Sequence, residues 1–416
     1  MTNLNIENPF TSDKISTVNF TSKKDALQIL TKAHTLHTKN PSGISKEKRI
    51  KILENLHLLL LKNKNKLIEL SVSEGGKPIQ DTKLEMNRAL EGVKLGIQAV
   101  RNIKGEMIPM NLNSASEKKL AYTQKKPIGV VLSISAFNHP INLAIHQIIP
   151  CIAAGCPVIY KPALSTPLTS KEIINSIYEA GLPEEWCTYL ICDNETTSIL
   201  AQSDLLGYIS FIGSSEIGWS IKQKMAPGVR IVLEHGGIAP VVVAKDANLN
   251  NAVPQIVKAG FYHAGQVCVS AQRIFVHEEI IDKFISQLNL QAQVQKVGNP
   301  KSENRQNSIV FYWLPGSSVR LETSESLGKR RRLAPRTQTQ VALCSSQFLG
   351  SFAKRRRTIQ AAATHRPREA RKSPCHQRRP ACTARSRSRL CWTDLSMRIF
   401  AASRRGGAWP APTLPD

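Results

Sequence analysis

Apolar residues between positions 24 and 103 recur every three or four places. Ile50, Leu53, Leu56 and Leu60 form one such series, and Leu84, Leu90 and Leu95 fall within a later one. This is the period of a helix with one buried stripe, so the segment is predicted to be a set of helices. Gly75, Gly76 and Pro78 interrupt it with a turn. Residues 105–128 predict a polar strand–turn–strand excursion around 111–116, and residues 1–20 read as polar and irregular. The pattern then changes. Residues 129–135, Gly-Val-Val-Leu-Ser-Ile-Ser, are largely apolar and β-branched, without strict alternation, as in a strand covered on both faces. A helix is predicted from about 141, a strand over 158–161, a helix over 169–180 and a strand over 189–191. A strand at 208–212, a helix from about 216 and strands at 230–233 and 241–243 follow. The series ends with a helix over 252–262, a strand at 273–276 and a helix at 278–289. Strands alternating with helices in this way predict an α/β fold: a doubly wound, Rossmann-like parallel sheet.

Composition adds one fact to this picture. The chain has 416 residues, 41% of them hydrophobic, enough for a sizeable core. No apolar run reaches the length of a membrane span, and no basic start precedes an apolar stretch. A cytoplasmic protein without a signal peptide is therefore expected. The net charge of +25 is unevenly spread: +7 over residues 1–304 and +18 over residues 305–416. The basic residue changes as well, from 28 Lys and 5 Arg to 3 Lys and 20 Arg. Folding physics does not require that exchange, so two sequences of different origin, joined near Asn304 by a frameshift or fusion, are expected. The Arg-rich part has neither helical nor strand periodicity and few aliphatic residues, and is expected to be mostly disordered. It lacks the interleaved aromatics that stack on bases, so no specific nucleic-acid partner is expected. Nine cysteines occur without a C-x-x-C pair, which points to reduced thiols and no metal site.

The chemistry concentrates in two glycine-rich turns. Cys268 ends Phe261-Tyr-His-Ala-Gly-Gln-Val-Cys268, and Glu234 lies 34 residues earlier in Leu233-Glu-His-Gly-Gly237. A thiol that an adjoining glycine turn can present, with an acid in a second turn, suits covalent catalysis followed by base-assisted hydrolysis. A buried small thiol and a solvated surface acid are the plain alternatives.

Several motifs occur together and in order: Phe137-Asn138-His-Pro140, Lys161-Pro-Ala, Phe211-Ile-Gly213-Ser214-x-x-x-Gly218, Leu233-Glu234-His-Gly-Gly237 and Gly265-Gln-Val-Cys268. With Ser71-Val-Ser-Glu-Gly-Gly-Lys-Pro78 they make residues 20–304 resemble the NAD(P)-dependent aldehyde dehydrogenase superfamily. The resemblance implies that Cys268 is the nucleophile, that Asn138 donates to the oxyanion beside the Cys268 backbone N–H, and that Glu234 is the general base. It implies a free carboxylic acid as product. For the cofactor, NAD or NADP, it implies Lys161, Gly213, Ser214, Gly218 and Phe137. It divides the chain into a helical part of the cofactor domain (1–104), an oligomerisation-type excursion (105–128), the Rossmann-like domain (129–255) and the start of a catalytic domain (256–304). The intact family is a homo-oligomer.

The sequence also departs from the family pattern. Leu164 stands where NAD-preferring members often carry a glutamate, Ile212 replaces a usual threonine, and His263 a frequent asparagine. After residue 304 no Glu-Phe-Gly-Pro motif follows. A catalytically inactive nucleotide-binding fragment is therefore the alternative to an active dehydrogenase of small aldehydes.

Overall fold

The computed structural model describes residues 3–237 and 239–303 and, beyond them, three short strands. The chain divides into two compact units. One comprises Met1–Ala239, Ile256–Ala271 and Gln295–Tyr312; the other comprises Pro240–Gln255, Gln272–Val294 and Trp313–Asp416.

The first unit opens on an antiparallel hairpin, β1 (Asn3–Glu7) and β2 (Lys14–Asn19). This corrects the reading of residues 1–20 as irregular. Of the two strands only Ile6 and Val18 are buried, so each carries too little apolar signal to show in the sequence. Four helices follow: α1 (Lys23–Lys39), α2 (Lys46–Lys62), α3 (Lys64–Gly75) and α4 (Ile79–Asn102). The hydroxyls of Ser22 and Ser45 accept N–H groups of the first turns of α1 and α2, and Gly76 at φ 62° closes α3. On α2, Leu53, Leu56 and Leu60 are buried as expected. On α4 the buried stripe is Thr82, Glu85, Met86, Ala89, Leu90, Val93, Gly96 and Val100, while Leu84 and Leu95 are exposed. The excursion forms as β3 (Met107–Ile108) paired antiparallel with β4 (Ala121–Tyr122).

The heart of this unit is a parallel sheet of β5 (Val130–Ile134), β6 (Val158–Lys161), β7 (Cys187–Tyr189), β8 (Leu206–Gly213) and β9 (Arg230–His235), in the order β7-β6-β5-β8-β9. Its connecting helices are α5 (Pro140–Ala154), α6 (Pro167–Glu179), α7 (Asn194–Ala201) and α8 (Ser215–Lys224). β7 lies two residues before the expected strand. α7 is a short helix that its polar start hides from a hydrophobicity pattern, although Asp193 accepts the Thr196 N–H as its cap. Every residue of β5 and β6 is buried. Val131 joins a core with Leu53, Met86, Val93 and Ile145, whereas Val130, Leu132 and Ile134 join a second with Leu30, Leu200 and Phe211. Alternate residues of one strand thus feed two cores, as a sheet covered on both faces requires.

In the second unit, β10 (Pro240–Val243) pairs in parallel with β11 (Arg273–His277), and α10 (Ile281–Gln293) follows. α9 (Leu249–Phe261) contributes residues to both units. Beyond residue 303 the strands β12 (Val319–Glu322), β13 (Gln340–Val341) and β14 (Arg398–Ala402) extend this sheet in the order β10-β11-β14-β12-β13. Apart from these strands, the expectation of disorder over 305–416 lies outside the described residues.

Candidate active site

Because all five strands of the first sheet are parallel, their C-terminal ends deliver residues to one edge. The strand order reverses between β5 and β8, the place where open α/β sheets form a ligand crevice. Phe137 and Asn138 follow β5, and Pro140 then starts α5 at a position where a missing N–H costs nothing. Lys161 ends β6, Gly213 ends β8 and Glu234 lies near the end of β9.

The thiol approaches from α9. Tyr262–Gly265 forms one tight turn in which His263, Ala264 and Gly265 have φ of 48°, 55° and 76°. Three successive left-handed residues, two of them with a β-carbon, store roughly 1–2 kcal/mol at each non-glycine position. Histidine tolerates that region better than most residues, as does the asparagine it replaces. The Gln266 N–H donates to the His263 carbonyl at 3.1 Å and closes the turn. Cys268 follows, exposed; among the described residues the other four cysteines are buried.

Two hydrogen bonds bring the three chemical residues together. The Asn138 side-chain amide donates to the Gln266 carbonyl at 2.7 Å. The Gly237 N–H, three residues past Glu234, donates to the Cys268 carbonyl at 3.4 Å. The thiol loop is therefore held by Asn138 at the Gln266 carbonyl and by the turn after Glu234 at the Cys268 carbonyl. Glu234 is exposed, and its carboxylate favours the charged form of His146 on α5, which burial otherwise disfavours. His139, between Asn138 and α5, is pushed down to about 3 by burial and by nearby Lys77 and Arg88, and so is neutral.

The residues expected to hold a dinucleotide lie on the same edge. Lys161 is 6% exposed and its ammonium donates to the Pro162 carbonyl at 3.3 Å. Burial lowers its pKa, while Cys192 and Asp193 act the other way. The Ser214 hydroxyl accepts the Ile217 N–H at 3.4 Å and caps α8. A β-carbon on Gly213 would lie 2.6 Å from the Phe211 ring, and one on Gly218 would lie 3.0 Å from it. Gly218 thus lets α8 close down on β8, and Gly213 leaves room for the Phe211 ring at the end of its own strand. A buried ammonium at one strand end, a capped helix N-terminus after a glycine at another, and a reversal of strand order fit a nicotinamide dinucleotide. Leu164 turns away from this role. It packs with Ile6, Val18 and Ile191 under the β1–β2 hairpin.

Three buried charged residues have no role assigned from the sequence. Glu74, Lys77 and Glu85 are all 1% exposed or less. The Glu74 carboxylate accepts the N–H groups of Leu168 and Thr169, each at 2.8 Å, at the start of α6. The Glu85 carboxylate accepts those of Ile141 and Asn142, at 2.8 and 2.9 Å, at the start of α5. Its other oxygen pairs with the Lys77 ammonium at 2.9 Å. The Glu-Gly-Gly-Lys-Pro run signalled Glu74 and Lys77; nothing local signals Glu85.

Known proteins resemble this chain in sequence and fold. The family model described as "Aldehyde dehydrogenase family" matches residues 2–309. A lactaldehyde dehydrogenase of Methanocaldococcus jannaschii is 32% identical over 305 residues, 72% of this chain and 64% of that protein. A 3-sulfolactaldehyde dehydrogenase of Priestia aryabhattai is 33% identical, over 77% of this chain and 65% of that protein. Among solved structures, a glyceraldehyde-3-phosphate dehydrogenase of Methanocaldococcus jannaschii complexed with NADP superposes with a TM-score of 0.69 at 32% identity, covering 74% of this chain and 67% of the other. A betaine aldehyde dehydrogenase of Staphylococcus aureus in complex with NAD+ gives 0.71 at 26% identity, covering 75% and 61%. The chain thus spans about two thirds of the length of the curated relatives it matches. With the family model matched over residues 2–309, most of its length, the chain belongs to the aldehyde dehydrogenase family.

Proposed function

We propose that the protein oxidises a small aldehyde to a carboxylic acid through a thioester on Cys268. The reading rests on one observation: the hydrogen bonds from Asn138 to Gln266 and from Gly237 to Cys268, which gather an amide donor, a carboxylate turn and an exposed thiol. The Cys268 thiolate attacks the carbonyl carbon and gives a hemithioacetal. Asn138 has two amide N–H bonds. One holds Gln266, and the other is assigned to the developing oxyanion together with the Cys268 backbone N–H. A bound NAD or NADP would supply the hydride acceptor that turns the hemithioacetal into a thioester. Lys161, Ser214 and the first N–H groups of α8 would hold the dinucleotide, and Phe137 and the two glycines would shape its bed. Glu234 then takes a proton from water as that water attacks the thioester, releasing the acid and restoring the thiol.

The relatives' names narrow the substrate. Lactaldehyde, 3-sulfolactaldehyde and glyceraldehyde 3-phosphate are all three-carbon aldehydes with a hydroxyl next to the carbonyl. We assign the same class, a short 2-hydroxyaldehyde, to this chain. An inactive nucleotide-binding fragment is less well supported, since the thiol, amide and carboxylate turns are all in place. The test is reduction of NAD+ or NADP+ by the full chain with lactaldehyde and glyceraldehyde, against Cys268→Ala. The variant is expected to bind the cofactor as the parent does and to produce none of its reduced form. Turnover by the variant at more than a few per cent of the parent rate would refute the assignment.

A further inference from the structure

The mechanism above leaves unused the most deeply buried ion pair of the first unit. Lys77 and Glu85 have side chains 1% and 0% exposed. Removing two charges from water is costly and is rarely retained for stability alone. Their contacts show what they could do instead. One Glu85 oxygen receives the Ile141 and Asn142 N–H groups, so it fixes the first turn of α5, three and four residues after Asn138. The other receives Lys77. Lys77 in turn lies 5.7 Å from the centre of the Tyr262 ring, within cation–π range. Tyr262 stacks on His139 at 6.2 Å, and His139 meets the His263 ring edge-on at 6.4 Å. Tyr262 and His263 open the tight turn Tyr262–Gly265, three residues before Cys268.

One chain of contacts therefore runs from Asn138 through α5, Glu85, Lys77 and Tyr262 to the thiol loop. The direct bond from Asn138 to Gln266 closes it into a ring.

We propose that the Lys77–Glu85 pair is the positioning element that sets the Asn138 amide and the Cys268 loop against each other. It touches neither substrate nor thiol, and it holds both halves of the oxyanion site at one separation. The inference rests on the proposed role of Asn138 and Cys268, and its test has a readout that needs no turnover.

Glu74 supplies the control. It caps α6 as Glu85 caps α5, with two backbone N–H groups and equal burial, but it does not contact the 262–268 loop through any of the interactions above. Hydrogen exchange of the full chain is followed by mass spectrometry for Glu85→Gln, Lys77→Met and Glu74→Gln. If Glu85 merely caps a helix, Glu85→Gln changes protection at 139–145 alone, as Glu74→Gln changes it at 167–173 alone. The proposal expects Glu85→Gln to accelerate exchange at 262–268 as well, by about tenfold or more. Lys77→Met leaves the cap in place and is expected to deprotect 262–268. This second variant decides the matter should Glu85→Gln fail to fold. Unchanged 262–268 in a folded Lys77→Met protein overturns the proposal.

In turnover, Lys77→Met is expected to lower kcat about 100-fold with KM within about threefold, the cost of a displacement near 1 Å at a reacting centre. Lys77→Arg, which keeps the cation, should recover most of it. A fall in kcat that Lys77→Arg leaves unrepaired overturns positioning by charge. If the parent chain oxidises no aldehyde, the activity reading fails alone, and the exchange pattern still decides this one.

Discussion

Glu74 offers a test of the burial argument that needs no substrate. Its carboxyl is buried, and burial raises its pKa to about 7 from an ordinary 4.5, even though two backbone N–H groups and Thr169 pull it back. The sign follows from proton linkage. The folded state holds this proton more tightly than the unfolded chain does. Its contribution to stability is therefore complete below pH 4.5 and is lost as pH rises towards 7. Integrating between those two values gives a loss of about 2.5 kcal/mol between pH 5 and pH 8, and on the order of 3 kcal/mol in all.

In Glu74→Gln the proton is gone, and with it this slope. The amide keeps one oxygen for one of the Leu168 and Thr169 N–H groups and turns an NH2 group towards the other, at a cost of about 1 kcal/mol. The variant is thus expected to be less stable than the parent at pH 4 to 5. It should be more stable, by about 2 kcal/mol, at pH 8, and the two curves should cross between about pH 5 and 6. Urea unfolding of both proteins at unit steps from pH 4 to 8 reads this difference directly, since every other titrating group cancels. Two profiles that stay parallel within about 0.5 kcal/mol would show that the capping N–H groups, not burial, control this carboxyl.

Two further expectations are simpler. Glu234→Gln should spare the first turnover and slow the second, giving a burst of about one reduced cofactor per Cys268 in stopped-flow absorbance; full steady-state turnover without a burst would assign the base elsewhere. Gly96→Ala should destabilise by about 1–3 kcal/mol despite alanine's better helix propensity, because its β-carbon would stand 2.3 Å from Ile149 Cγ2 at the α4–α5 crossing. A thermal midpoint at or above that of the parent would show that the two helices can part there at no cost.

The doubly wound core was readable because its strands are covered on both faces. Val130–Ile134 and Val158–Lys161 are apolar almost throughout, and their position follows from that alone. The β1–β2 hairpin and α7 were not, since each buries only a few residues and owes its form to pairing or to a cap. The motifs that hold Cys268, Asn138 and Glu234 are read from their order along the chain. The bonds that gather them are not, because Asn138 and Gln266 are 128 positions apart and nothing local encodes their approach.

The deepest misreading concerns α4 and has a single physical cause. Leu84, Leu90 and Leu95 mark a helix, but of the three only Leu90 is buried. The buried face contains Thr82 and Glu85, which a hydrophobicity pattern places in solvent. A charge can occupy a buried stripe only if its partners arrive from elsewhere in the fold. Glu85 finds them in Lys77, one turn before α4, and in the open N-terminus of α5, 56 residues on. The start of α5 has no side-chain cap of its own, because His139 makes none. The same gap stands at the start of α6, where Thr166 gives no cap and Glu74 arrives from α3. Each of the two helices that follow β5 and β6 is therefore capped by a glutamate from the helical layer around residues 64–102. Asn138 and Lys161 lie at those strand ends, so the helices that precede the sheet in sequence fix the edge to which the proposed chemistry is assigned.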